Sequence, residues 1–405
     1  MSLPELVLPP EFALPPEFAL VAACCRWPPS PARDAAVRAA AAVAIRWDVF
    51  ERVVTQHRVA GLVHDGLRRA GAAMPPETAA RIAAVAAGAA RTALAMARET
   101  VRLQQAFDGA AVPALFVKGS SLAMLAYGEL GVKQSWDIDM LTTPEAVVAA
   151  RHVLEDLGYD LRQPVGLDDR RFQRLPEFSK ECVFFHPRLG TSVELHWRLI
   201  GNRFLLPQIN RGQPTQDVAL GGAAVKTLQD EALFAYICAH GTVHAWVRLK
   251  WLADVAAFLS RRDAGEVERL HRAAVALGAG RTPGVALLLS HRLLGLAVAP
   301  ALLAELQRDR AMVRLVETAL CCMVYREGTA KFPTYSMPAV KVQLSHLALV
   351  PGGRYFRHEL ALKWTSPVDR AQLSLPRSLD FLYHVLRVPL WLRRIGGRAL
   401  RKKPG

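Results

Sequence analysis

Residues 135–141 read Ser135-Trp136-Asp137-Ile138-Asp139-Met140-Leu141. Ile138 to Thr142 has the apolar character of a buried strand, yet two carboxylates stand one residue apart at its start. Side chains alternate along a strand, so Asp137 and Asp139 point to the same face. Two carboxylates held side by side repel each other and are tolerable when a divalent cation sits between them. Magnesium prefers carboxylate oxygens together with substrate phosphates, which such a face can supply. Asp-x-Asp by itself also occurs in glycosyltransferases and in solvent-facing strands, so its meaning depends on what surrounds it.

Upstream, Ala114-Leu115-Phe116-Val117 reads as a short buried strand. It is followed by Lys118-Gly119-Ser120-Ser121 and a short helix from Leu122 to Tyr127, ended by Gly128 and Gly131. Glycine permits close backbone approach, and free amides at a helix start hold phosphate oxygens. Ser120 also suits a plain helix cap, and Lys118 a strand-end lysine that reaches water. Downstream, Pro144 to Leu157 reads as a helix with Thr143 as its cap, Pro144 in first position and Gly158 after its end. Cys182–His186 and Thr191–Trp197 read as a hairpin around Pro187-Arg188-Leu189-Gly190. Glu194, flanked by apolar neighbours in Ser192-Val193-Glu194-Leu195-His196, is expected to face the two aspartates. Three carboxylates beside a phosphate-cradling turn form a two-metal site for in-line attack on a nucleotide phosphate.

Outside this unit the expected texture is helical. The first 30 residues are proline-rich, with LPPEFA at 8–13 and again at 14–19, and are expected to be irregular. Pro31 to Arg69 suggests two short helices anchored by Trp47 and Phe50. Gly71 and Pro75-Pro76 then interrupt, and Glu77 to Asp108 suggests one long alanine-rich helix. Gly221-Gly222 marks a plausible boundary, and a helical period runs from Thr227 to Leu347. The expected division is 1–30 proline-rich segment, 31–110 helical region, 111–220 α/β core, 221–347 helical domain and 348–405 basic amphipathic tail. The expected fold class is α+β, a small mixed-sheet core flanked by helical regions.

Composition agrees with a folded chain. Of 405 residues 52% are hydrophobic and 21% charged, which excludes a disordered protein. The net charge of +15 is unevenly distributed. No acidic residue follows Asp380, while Arg387, Arg393, Arg394, Arg398, Arg401, Lys402 and Lys403 all do. Such a tail attracts anionic lipid or nucleic acid, or is simply a solvated terminus. The six cysteines show no CxxC spacing, as expected of reduced thiols. The N-terminus has no basic stretch ahead of an apolar core, which argues against a signal peptide. No run of about 20 uninterrupted apolar residues suggests a spanning helix. A cytoplasmic location is expected, with peripheral contact at the inner membrane surface through the tail. A nucleic-acid polymerase is disfavoured by the lack of a basic groove motif studded with aromatics.

His240 and His244 lie four apart on one face of a predicted helix. The motif His240-Gly241-Thr242-Val243-His244 lacks the glutamate of a zinc protease. With Arg248 and Asp254 it makes either a polar cluster facing a nucleotide or a hydrogen-bonded network that docks the helical domain. Trp197 suits the core, and His196 suits either core or site.

These motifs resemble the DNA polymerase β nucleotidyltransferase superfamily: a Gly-Ser turn at a helix start, Asp-x-Asp, and a third carboxylate on a later strand. More closely they resemble a bacterial branch labelled uncharacterised nucleotidyltransferases, in Lys118-Gly119, Leu122 to Tyr127, Lys133, Asp137-Ile138-Asp139, Glu194-Leu195-His196-Trp197, and the stretch from His240 through Trp251 to Asp254. Lys133 stands where that branch usually carries arginine. The resemblance implies transfer of a nucleoside monophosphate from an NTP, with ATP as one candidate, to an acceptor hydroxyl. Asp137, Asp139 and Glu194 would hold Mg2+ or Mn2+, and Glu194 would help activate the hydroxyl. Gly119 and Ser120 would position the β- and γ-phosphates, and Lys118 or Lys133 would neutralise triphosphate charge; His240 and His244 are further candidates at the nucleotide. The acceptor, a small molecule, glycan, peptide or protein, is left open, with a tailoring role in biosynthesis as the expectation. The alternative is a degenerate transferase fold serving as a non-catalytic nucleotide-, membrane- or nucleic-acid-binding protein.

Overall fold

The structure, a computed structural model, describes residues 14–209, 213–324 and 337–364 together with the isolated positions 382 and 386. The cationic cluster after Asp380, and the first LPPEFA copy at 8–13, lie outside the described residues.

Five helices come first: α1 (Pro16–Cys24), α2 (Pro31–Ala41), α3 (Trp47–His57), α4 (Ala60–Ala70) and α5 (Pro76–Gly109). The second LPPEFA copy is not irregular; its Pro16 opens α1. A missing N–H costs nothing in the first turn of a helix, and the apolar run behind it buries Phe18, Leu20, Val21 and Cys24. Pro31 to Arg69 holds one helix beyond the expected two, because the segment 42–46 ends α2 before α3 begins. Phe50 is fully buried and Trp47 packs against it edge-on. The alanine-rich helix α5 is long and apolar enough by composition to cross a membrane. It buries a stripe that includes Ile82, Ala86, Ala93, Leu103 and Phe107 against the protein, as an amphipathic surface helix does.

The middle of the chain gives β1 (Leu115–Phe116), α6 (Ser120–Tyr127), β2 (Asp137–Leu141), α7 (Val147–Asp156), β3 (Asp160–Gln163), α8 (Asp169–Phe172), β4 (Glu181–His186) and β5 (Thr191–His196). The mixed sheet runs β1-β2-β5-β4-β3, parallel only between β2 and β5. Ile138, Met140, Val193, Leu195, Cys182 and Phe184 fill its inner face over Phe107 and Phe116. The helix α7 starts later than expected. Pro144-Glu145-Ala146 forms a turn closed by Ala146 N–H on the Thr143 carbonyl at 3.0 Å, and the N-cap position falls on Ala146 instead of Thr143.

A second hairpin follows, β6 (Thr215–Leu220) and β7 (Ala223–Leu228). Gly221-Gly222, expected as a domain boundary, is its two-residue turn. Both glycines have positive φ, 59° and 86°, as turns matched to strand twist require. Leu220 and Val225 belong to the sheet's core, and Gln104 of α5 accepts the Lys226 N–H at 2.9 Å. The α/β unit therefore runs on to residue 228.

Then come α9 (Asp230–Val243), α10 (Leu249–Leu259), α11 (Ala264–Ala274), α12 (Thr282–Leu294), α13 (Pro300–Arg308), α14 (Arg310–Val324), α15 (Met337–Ser345) and α16 (Gly353–Trp364). Their core is continuous with that of the first helices: Phe18, Phe50 and Leu62 share one cluster with Phe234, Trp246 and Leu287. The fold is α+β, a mixed-sheet core with helical regions before and after it. All six cysteines are free thiols, and burial pushes Cys24 and Cys322 up to about 12.

Candidate metal and nucleotide site

The parallel pairing of β2 with β5 sets Asp139 directly beside Glu194, and Leu141 beside His196. Across β5, Glu181 of β4 lies opposite His196. Asp137, Asp139, Glu194, His196 and Glu181 thus share the sheet face away from the core. Asp139 and His196 are buried; Asp137, Glu181 and Glu194 are half-buried.

One ligand atom each from Asp139, Glu194 and His196 comes within 4.8 Å of the others. His196 Nε2 stands 3.4 Å from Asp139 Oδ1 and 3.6 Å from Glu194 Oε2, and its Nδ1 is 3.0 Å from Glu181 Oε2. Asp139 Oδ1 and both imidazole nitrogens are buried without a hydrogen bond. Asp139 Oδ1, Glu194 Oε2 and His196 Nε2 converge on one point and fit a cation, and carboxylate with imidazole is a ligand set for divalent ions. His196 was the residue left undecided in the sequence. Its spacing of two from Glu194 on a strand was the signal that both share a face.

Lys118, just past β1, puts Nζ 2.7 Å from Asp139 Oδ1, outside hydrogen-bond alignment. Burial opposes its charge, but Asp139 more than compensates and the lysine is held above its ordinary pKa. For Asp139 burial pushes upward, and Lys118 with His196 reverses this, leaving the carboxyl well below the usual range. For Asp137 burial and then Asp139 push the pKa up, and the opposing pull of Lys118 does not offset them.

Gly119 adopts φ 66°, ψ −128° ahead of α6, a region open essentially to glycine alone. A Cβ there would lie 3.8 Å from the Asp137 carbonyl oxygen, so the turn runs beside the start of β2. Ser121 is spent on structure, donating to the Phe116 carbonyl at 2.6 Å. Ser120, also buried, opens α6 next to it.

The remaining expected residues divide. Lys133 is buried and ion-paired with Asp254, which also accepts from Tyr127 Oη at 3.0 Å. Its charge is thereby engaged in fastening the loop after α6 to α10 beside Tyr127, and Asp254 belongs to that docking network. His240 packs tilted against His244 at 4.7 Å and edge-on against Trp251 at 5.3 Å, and His244 lies tilted over Trp251 at 5.2 Å. Tyr236 links this ladder to the acidic face, its ring 5.8 Å from Lys118 Nζ and 5.9 Å from His240. Burial and then Lys118 hold His240 far below its ordinary pKa, hence neutral.

A family model described as "Uncharacterised nucleotidyltransferase" matches residues 44–295, more than half of the chain. No curated protein and no solved structure matches it.

Proposed function

The chain belongs to this uncharacterised nucleotidyltransferase family, and from that premise we propose that it transfers a nucleoside monophosphate from an NTP to an acceptor hydroxyl. The observation that carries the reading is the β2–β5 register, which sets Asp139 beside Glu194 with Asp137 on the same face and the Gly119-Ser120 turn alongside. In the reaction the acceptor oxygen bonds to the α-phosphorus, the bond from that phosphorus to the β-phosphate bridge breaks, and pyrophosphate leaves. Asp139, Glu194 and His196 would hold a divalent ion, Mg2+ or Mn2+, and Asp137 with Asp139 a second. Such ions neutralise phosphate charge and act as Lewis acids.

The chain's own groups divide the remaining work. Backbone amides at Gly119 and Ser120 would hold the terminal phosphates, as helix starts do. Lys118 would exchange its contact with Asp139 for the phosphates when the metal arrives, keeping the buried charges balanced. Glu194, half-buried where Asp139 and His196 are buried, would receive the acceptor's proton. Neutral His240 and His244 with Trp251 would offer a ring surface near Lys118. ATP is one candidate donor, and the acceptor class stays with the four named above.

The test is a screen of the four NTPs with magnesium or manganese, with cell extract as the acceptor source. Pyrophosphate release dependent on metal and lost in Asp137→Ala/Asp139→Ala supports the proposal. Unchanged metal-dependent turnover in that variant overturns the site.

A further inference from the structure

Arg58 and Arg248 are far apart in sequence and are brought together on the Asp137 side of the acidic face. Arg58 ends α3 in left-handed backbone, φ 56° and ψ 48°. Arg248 precedes α10 after two further left-handed residues, Ala245 at φ 48° and Trp246 at φ 51°. Left-handed backbone at non-glycine positions costs energy and persists only where the surroundings enforce it. A buried hydrogen bond ties the two segments: Leu249 N–H donates to His57 Nδ1 at 3.0 Å. It joins the residue before Arg58 to the residue after Arg248, so the two arginines are registered against each other.

Among the described residues neither guanidinium has a carboxylate within ion-pairing distance. Burial lowers the pKa of both, Arg58 lowers that of Arg248 further, and Asp137 acts in the opposite sense on each. Lys250 lies on the same side, its ammonium 3.4 Å from the Gln134 carbonyl. Burial and then Lys133 bring it down to about 7. Trp136 immediately precedes Asp137, is 54% exposed, and has the Arg58 guanidinium 5.5 Å from its ring centroid. Two guanidinium groups held on one side without an ion pair, beside an open indole, leave cationic donors free for an anion. Guanidinium is the group best shaped for phosphate oxygens, and an exposed indole stacks on nucleobases irrespective of their identity.

We propose that Arg58 and Arg248, with Trp136 as their aromatic wall, form a phosphate-and-ring subsite that takes the nucleoside triphosphate on the Asp137 side of the acidic cluster. The inference rests on the transferase reading above; it takes Arg248 from the motif stretch 240–254 and adds Arg58 and Trp136 to it. His57 is a positioning residue for this subsite.

The full-length chain is titrated calorimetrically with ATP and with inorganic tripolyphosphate, each in magnesium. Arg58→Gln and Arg248→Gln are each expected to weaken both probes by about tenfold to a hundredfold. Trp136→Ala is expected to weaken ATP by about tenfold and leave tripolyphosphate unchanged. Wild-type affinity for both probes in the double arginine variant overturns the subsite, and equal loss of both probes in Trp136→Ala overturns the ring contact. If the double variant melts early, Arg58→Lys and Arg248→Lys decide: intermediate affinities support the proposal and unchanged ones overturn it. The two readings fail separately. Turnover that survives Asp137→Ala/Asp139→Ala overturns the transferase site, whereas arginine variants that bind both probes normally overturn only the subsite.

Discussion

Asp139 and Asp137 look equivalent in the sequence and differ in the fold because their neighbours differ. Asp139 is ionised by the Lys118 ammonium at 2.7 Å and faces His196 at 3.4 Å, whereas Asp137 is pushed toward protonation by burial and by Asp139 itself. Asp139→Asn should therefore leave Lys118 buried without its counter-charge and lower the melting temperature as well as turnover, while Asp137→Asn should lower turnover alone; equal melting temperatures for the two would contradict this. Glu194→Gln tests the proton acceptor and is expected to reduce metal-dependent turnover by about 10²–10⁴. His57 supplies a pH prediction. Burial lowers its pKa from 6.5 to about 4. The unfolded chain takes up this proton below about 6.5 and the folded chain only near 4. Stability from this group is thus complete above 6.5 and is lost as pH falls toward 4, by about 3 kcal/mol. Unfolding titrations of His57→Gln, whose side-chain oxygen can still accept the Leu249 N–H, should show a shallower acid loss than the parent. Parallel curves would refute the assignment.

The elements explain how these residues are delivered. The helices α9 and α10 join through the left-handed pair Ala245-Trp246, and the indole of Trp246 is fully buried over Gly241. A Cβ on Gly241 would lie 2.3 Å from that ring. Gly241→Ala should therefore displace Trp246, cost about 1–3 kcal/mol by overpacking, and weaken ATP binding because Arg248 follows two residues later. The β6–β7 turn provides the contrast. A Cβ on Gly222 meets nothing within 4 Å, so Gly222→Ala carries only the backbone penalty of about 1–2 kcal/mol and should leave ATP affinity unchanged. Calorimetry on the two variants checks both halves. Gly221-Gly222 suggested a boundary because glycine pairs mark linkers and tight hairpin turns alike. Only the pairing of Thr215 with Leu228 down to Leu220 with Ala223 distinguishes them.

At the scale of the molecule, the first helices and the last share one hydrophobic core around the α/β unit. The family match begins at residue 44, yet α1 is already inside that core. A chain lacking residues 1–43 loses Phe18, Leu20 and Val21, each fully or nearly fully buried and worth roughly 1.5–3 kcal/mol. Total stabilities are only about 5–15 kcal/mol, so this chain should aggregate or melt far below the parent; an unchanged melting temperature would show α1 to be dispensable. By itself the sequence determined the strand–turn–helix around Gly119, the two strands bearing Asp137, Asp139 and Glu194, the long α5, and the α+β class. These follow from local rules: alternation along strands, glycine where φ is positive, and a helical period of apolar residues. The tertiary structure alone decided which charges meet. It engaged Lys133 with Asp254, brought His196 to Asp139, and set Arg58 beside Arg248 across 190 positions of sequence. Such partners depend on strand order and helix docking, and side-chain periodicity within one segment carries no information about either.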